Sequence, residues 1–451
     1  MRHLTSFAPA IRYFSRLSEF RPTNMSMRAR PLHWRSFCSS LNCLNRIIKT
    51  SKDRKLHFDQ VNSWKATGNQ DHVKSNEPRL PKKKVALLIG FNGSSFQGMQ
   101  INPGTVTIES VLFDALCKTG AVSTSNAVDP KKVQLMRAAR TDKGVHASCN
   151  LVSLKMICQD EQIVEKLNAV LPPQIRVWGY VETQRNFHAK NKCDSRIYEY
   201  LMPSYALQQL EPNKEWTTQP QSEHDIQIAT EDSTLTRFMK PTDPAKLLAY
   251  RVDQERFSKF KRAMQMFKGT HNFHNYTIAR SFRDQAANRF MIDINVDEPM
   301  MIGGMEWISV KLHGQSFMLH QIRKMISMAM LCTRTGTPLT LLPKTFESAK
   351  INIPKAPALG LLLDRPVFKL YNDRMHAIES RQTIDFDQYK DAIEAFKRES
   401  IYSKIFEQEH QDRVFDTFLM TIDSHVDKDY KFFNKEGIIP DESILYTKYS
   451  V

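Results

Sequence analysis

RAARTDKGVHA, Arg137 to Ala147, sets a single acid between two cations and follows it with a glycine and a histidine. Asp and Gly are standard turn residues, Asp because its side chain bonds its own backbone and Gly because it accepts positive φ. The tetrad TDKG therefore reads as a tight turn. Arg140 stands two positions before Asp142, which places a guanidinium beside a carboxylate at an exposed strand edge. Taken alone the tetrad is a turn and nothing more, so its meaning depends on what surrounds it.

Downstream, NLVSLKMI reads as a strand, and upstream KVALLIGF (Lys84–Phe91) reads as a buried one followed by the turn punctuation of NGSSFQG. TIESVLFDALCKTG carries Ile108, Val111, Leu112 and Leu116 on one stripe and stops at Gly120, a helical pattern. IRVWGYVE, RIYEYLMP, FMIDINV and EWISVKL are further strands; DEQIVEKLNAVL, FSKFKRAMQMF and SFMLHQIRKMISMAM are further helices. Strands and helices mixed without strict alternation predict an α+β domain with a largely antiparallel sheet flanked by helices. The polar, acidic stretch over 204–251 reads as an insertion loop. Past Leu370, DFDQYKDAIEAFKRES predicts amphipathic helices packed on the main folded body, ahead of a negative tail. The organisation expected is a leader and linker over 1–80, a main folded domain over 81–370, and a helical extension over 371–451.

RAARTDKGVHA closely resembles the R-T-D-x-G-V-H-A signature of the TruA family of tRNA pseudouridine synthases. FNGSSFQGMQ (Phe91–Gln100), FHAKNKCDSRIYEY (Phe187–Tyr200), KGTHNFHNYT (Lys268–Thr277), GQSFMLHQIRKMI (Gly314–Ile326) and KAPALGLLL (Lys355–Leu363) resemble further segments of that family in the same order. The resemblance runs from about residue 82 to about residue 366 and is strongest to the family's eukaryotic branch. It implies the pseudouridine synthase fold and the isomerisation of uridine to pseudouridine in tRNA, with messenger or small nuclear RNA as further substrates. It also implies a reaction without cofactor or metal.

By the same resemblance Asp142 is the catalytic carboxylate, Tyr198 packs against the target base, and Arg323 pairs with the Asp. Uridine must lose its N1–C1′ bond and regain one from C5, so positive charge develops at the sugar. A carboxylate beside C1′ can stabilise that charge, attack it, or remove a C2′ proton. The residues leave the choice open. An isolated strand Tyr is ordinarily a core aromatic, and a helix Arg on an apolar stripe ordinarily holds its head in solvent; Met318, Ile322, Met325 and Ala329 nevertheless put Arg323 beside a buried face. Arg140, Lys143, His146, Lys190 and Arg196 are the candidate RNA contacts. His271 and His274 form an H-x-x-H pair without a further ligand nearby, too little for a metal site. Two other readings stand beside the enzyme: a catalytically silent RNA-binding protein of the same fold, and a metal-dependent nuclease for which only Asp129 and Asp160 are available nearby.

The formal net charge is +16, and its distribution matters more than its size. Nine Lys and Arg against one acid make Met1–Thr50 strongly positive, whereas 11 against 17 make Asn372–Val451 negative, so the middle of the chain is basic as well. Arg2, Arg12, Arg16, Arg21, Arg28, Arg30 and Arg35 among Ser and apolar residues, with Glu19 the one acid, have the composition of a mitochondrial transit peptide. A disordered basic arm has the same bias. Met25 and Met27 offer shorter starts, and Lys82, Lys83 and Lys84 form either a weak nuclear signal or a solvated lead-in to the first strand. Location in mitochondrion and nucleus is expected. Seven scattered cysteines with no C-x-x-C pair support neither a disulfide framework nor a structural zinc. No apolar run approaches the roughly 20 residues of a membrane span, and no obligate protein partner is evident.

Overall fold

The computed structural model describes residues 80–210, 242–378, 381–425 and 429–445, with short pieces at 216–217, 221–222, 226–228 and 237–239. The expected leader lies outside them. The chain forms two compact units. The larger comprises the described residues of 80–210, 251–299 and 308–445, and the smaller the described parts of 211–250 together with 300–307.

The apolar run at Lys84–Phe91 becomes a central strand. β1 (Lys82–Phe91) is buried from Val85 onward and pairs antiparallel with β3 (His146–Ile157) on one side and β4 (Ile175–Glu182) on the other. A strand covered on both faces needs no polar alternation. β4 ends the order and alternates between buried and half-buried residues, Ile175, Val177 and Val181 inward, as the two-residue period of a half-covered strand requires. The sheet continues from β3 through β13 (Leu361–Val367), β5 (Ser195–Pro203), β12 (Met305–Gly314) and β10 (Asn288–Val296) to β9 (Gly269–Asn272), with β2 (Met136–Arg137) on β3. β13 is antiparallel to β5 but parallel to β3. The sheet is thus mixed and largely antiparallel, as expected.

Helices cover it. α1 (Ile108–Lys118) opens with a capping box between Thr107 and Ser110 and buries Ile108, Leu112 and Leu116. α2 (Ile163–Val170) and α3 (Gln254–Gln265) follow, the latter capped by Asp253. α4 (Gln321–Arg334) begins five residues after the start of the helical stretch SFMLHQIRKM, because His320 takes a left-handed conformation (φ +64°) and Met318 and Gln321 form a local turn instead. Every residue of α4 except Arg323 is buried.

Beyond the sheet, α5 (Lys369–His376) and α6 (Lys390–Phe396) lead through a π turn at Lys397–Tyr402 into α7 (Ser403–Asp412) and α8 (Val414–Asp423). Tyr371, Met375, Ile384, Phe386 and Ile393 pack against Ala86, Leu88, Leu151 and Val181 of the sheet, so the helical extension closes one of its faces. In the smaller unit, β6 (Trp216–Thr217), β7 (Ile226–Ile228) and β8 (Arg237–Met239) form an antiparallel sheet with β8 central, followed by a short helix at Pro244–Ala249. β11 (Met300–Ile302) makes a hairpin with the first residues of β12.

Candidate active site

Asp142 occupies the turn between β2 and β3. The Val145 N–H donates to its carbonyl at 3.2 Å, and Gly144 supplies the positive φ (+77°) at the third position, a role that a side chain would strain. The turn leans on the segment after β1. A Cβ on Gly93 would lie 2.1 Å from the Val145 carbonyl oxygen, so only glycine fits there. Met99 N–H donates to the Thr141 carbonyl at 3.1 Å.

Sheet register brings the remaining groups to this turn. Ala147 of β3 lies opposite Leu363 of β13, and Leu363 lies opposite Tyr198 of β5. Tyr198 is buried, and its ring meets Phe317 edge-on at 5.1 Å. Three residues after Phe317, His320 Nδ1 lies 2.9 Å from Asp142 Oδ2. On the first turn of α4 the Arg323 Nη1 stands 4.0 Å from the same oxygen, while its Nε donates to the Ala356 carbonyl at 2.6 Å. The Ala356 N–H answers by donating to the Arg323 carbonyl at 3.2 Å.

The Asp142 side chain is 28% exposed. Burial pushes its carboxyl upward, but the His320 hydrogen bond and the charges of His320, Arg323 and Lys355 outweigh burial and hold it below the usual carboxylate range. Tyr198 is driven the other way: its burial raises the phenol, which stays neutral. The site thus joins an ionised carboxylate open on one side, two cationic or hydrogen-bonding partners, and an aromatic pair. That set suits stabilising, or bonding to, a positive centre on a substrate.

A family profile described as tRNA pseudouridine synthase matches residues 263–369, the segment that holds α4 and β13. The "tRNA pseudouridine synthase 1" of Yarrowia lipolytica is 42% identical over 81% of this chain and 79% of its own length. That of Saccharomyces cerevisiae is 39% identical over 83% and 80%. The chain belongs to the tRNA pseudouridine synthase family. It is also similar to the "Pseudouridylate synthase 1 homolog" of mouse, 34% identical over 77% of this chain and 75% of the relative. The fold and the enzyme class read from its motifs, an isomerase, agree.

Within this synthase the predicted residues separate into two groups. Asp142, Tyr198 and Arg323 come together, and Arg140, Lys143 and Lys190 are exposed, the first two flanking Asp142 in the chain. Two do not behave as expected. His146 is fully enclosed, its Nδ1 accepting the Gly93 N–H at 3.2 Å, and burial pushes its ring down to about 4; it fixes the turn and offers no face to a phosphate. Arg196 is half-buried and donates to the carbonyls of Gln315 and Ala138 at 3.0 and 3.1 Å, a clamp between strands. The guanidinium beside Asp142 is also not that of Arg140, its near neighbour in sequence, but that of Arg323. His271 and His274 are packing residues: the first stacks on Phe346 at 4.3 Å and the second is buried.

His320 was missed by sequence reasoning. It lies in a stretch whose helical pattern hides the break in the backbone at that position, and neither its contact with Asp142 nor the charge that Lys355 brings to bear on the acid is announced by spacing. Lys324, next to Arg323, also departs from the ordinary: it is buried, donates to the carbonyls of Asn275 and Thr277 at 3.2 and 3.5 Å, and is pushed down to about 7, chiefly by burial.

Proposed function

We propose that this enzyme isomerises uridines of tRNA with Asp142 as the catalytic carboxylate, Tyr198 against the flipped base and Arg323 keeping the acid ionised. The single observation that supports this reading is a carboxylate more than a quarter open whose Oδ2 has His320 Nδ1 at 2.9 Å and Arg323 Nη1 at 4.0 Å, neighbours that hold it below its ordinary pKa. Whether the acid steadies charge at C1′, bonds to it or takes the C2′ proton, each role requires the ionised form. The glycosidic bond from N1 breaks, a bond from C5 to C1′ forms, and the proton leaving C5 balances the one gained at N1. A target uridine is out of its stack when this happens, so Arg140, Lys143 and Lys190 are assigned to the flanking phosphates.

Substituting Asp142→Ala tests the assignment. Pseudouridine formation on a tRNA transcript should vanish while RNA affinity stays within a few-fold, because binding is spread over phosphate contacts; turnover near that of the parent enzyme would refute it. The catalytically silent alternative leaves an ionised, half-enclosed carboxylate without a task. The nuclease alternative has less support still, since Asp129 caps a turn and Asp160 pairs with Lys166.

Messenger and small nuclear RNA are proposed as further substrates, and mitochondrion and nucleus as the locations. Support for the first is that RNA helices are recognised largely by shape and by phosphate and 2′-hydroxyl contacts, features that messenger and small nuclear RNA share with tRNA wherever they fold into helices. Support for the second is the arginine-rich, acid-poor composition of Met1–Thr50, with alternative starts at Met25 and Met27.

A further inference from the structure

His320 is held in a conformation that its residue type seldom adopts. Its φ is +64°, in the left-handed region where residues other than glycine are uncommon and where Asn, Asp and His are the usual exceptions. The surroundings enforce it from both sides. Thr277 Oγ1 donates to the Leu319 carbonyl at 2.9 Å, and the buried Gln321 side chain accepts the Met318 N–H at 2.9 Å while the Gln321 N–H returns to the Met318 carbonyl at 3.1 Å. The His320 carbonyl then accepts the first helical bond of α4, from Lys324 N–H at 3.0 Å. What this arrangement achieves is visible at the ring: Nδ1 reaches Asp142 Oδ2 at 2.9 Å, nearer than any atom of Arg323.

Both partners of the carboxylate fall on the same oxygen, Oδ2, and among the described residues none hydrogen-bonds Oδ1. We propose that His320 is a positioning residue for pseudouridine formation: it anchors Asp142 through Oδ2, fixes the plane of the carboxylate, and thereby presents Oδ1 to the ribose. The inference rests on the catalytic reading of Asp142. Arg323 supplies charge at 4.0 Å but no hydrogen bond to the carboxylate, and Lys355 acts on it through charge, so orientation falls to the imidazole. The titratable and charged groups around the pair are Arg323, Lys355 and Tyr198, together with Arg196 behind Tyr198.

Two substitutions separate the hydrogen bond from the backbone. His320→Asn keeps tolerance of positive φ and places an amide N–H near the position of Nδ1; His320→Gly accepts the backbone freely but has no donor. Single-turnover rates on a tRNA transcript, measured across pH with His320→Asn, His320→Gly and Asp142→Ala side by side, provide the test. His320→Gly should be slower by about tenfold or more, the scale of one hydrogen bond to a charged group. Its acid limb should move to higher pH, because Asp142 loses a partner that favours its ionised form. His320→Asn should recover most of the rate and the position of the limb, with RNA affinity unchanged in both. A parent-like rate and acid limb in His320→Gly would overturn the proposal, as would a His320→Asn variant as slow as His320→Gly, which would mean that the ring itself moves a proton. Activity in Asp142→Ala would instead overturn the catalytic reading beneath it.

Discussion

Arg323 acts on two partners at once, which changes what its replacement should do. One nitrogen faces Asp142 at 4.0 Å, and the Nε holds the Ala356 carbonyl at 2.6 Å. A lysine retains the charge but has neither the planar fork nor the reach to serve both. Arg323→Lys should therefore slow single turnover by about tenfold or more and also lower stability by about 1–2 kcal/mol, since a buried carbonyl loses its donor. Arg323→Ala should lose more of both, because it leaves a poorly solvated carboxylate without its cationic neighbour. The neighbouring Lys324 cannot serve as the inert comparison, being buried and bonded to two carbonyls; the exposed Lys118 at the end of α1 is suitable. Equal, mild rate effects for Arg323→Lys and Lys118→Ala would remove Arg323 from the site.

Among elements, the helical extension is tied to the catalytic sheet by charge as well as by packing. Lys397, in the π turn before α7, is buried and lies 2.8 Å from Glu199 of β5 and 2.9 Å from Asp364 of β13. Tyr402 and Ser309 hydroxyls donate to the two Glu199 oxygens at 2.7 and 2.9 Å. Burial opposes the lysine charge, but Glu199, Tyr402 and Asp364 overcome it and hold the amine well above its ordinary value. Glu199 adjoins Tyr198 in β5, so the network backs the strand that carries the site's aromatic residue. Breaking such a group on one side leaves charge buried without compensation, a loss of roughly 3–5 kcal/mol. Lys397→Met should cost about that much in denaturant unfolding. Lys397→Met combined with Glu199→Gln should cost clearly less than the two single losses added together; strict additivity would mean that the pair is not coupled.

At the scale of the molecule, charge is divided among segments, and the partner is expected to meet only some of them. Arg140, Lys143 and Lys190 are exposed near the site, and each phosphate contact releases counterions, so affinity for tRNA should fall linearly on a double-logarithmic plot against salt. Replacing all three by alanine should reduce the slope by about two to three, and an unchanged slope would place the RNA elsewhere. For Met1–Thr50, fusion to a fluorescent reporter should give mitochondrial signal and cleavage of the segment, whereas a product begun at Met25 or Met27 should accumulate in the nucleus. A uniform cytosolic reporter would refute the transit reading.

How much was legible in the amino-acid sequence follows from which interactions are local. The strand at Lys84–Phe91, the helix stopped by Gly120 and the turn at Asp142–Val145, one residue on from the tetrad TDKG, depend on periodicity and on residue-level preferences of the backbone, so the sequence alone determined them. Ordered motifs carried the family and with it the enzyme class. Where contacts join distant segments, the outcome passed to tertiary structure. Nothing in the spacing between Asp142 and His320 distinguishes that histidine from His146, four residues from the acid; the fold buries the near one and turns the distant one, in a left-handed residue at the head of α4, onto the carboxylate. The family resemblance already named Arg323 as the partner of the acid; the physical reason that it, and not the nearer Arg140, stands there lies in strand register and helix placement, which decide which guanidinium shares the low-dielectric space with the acid.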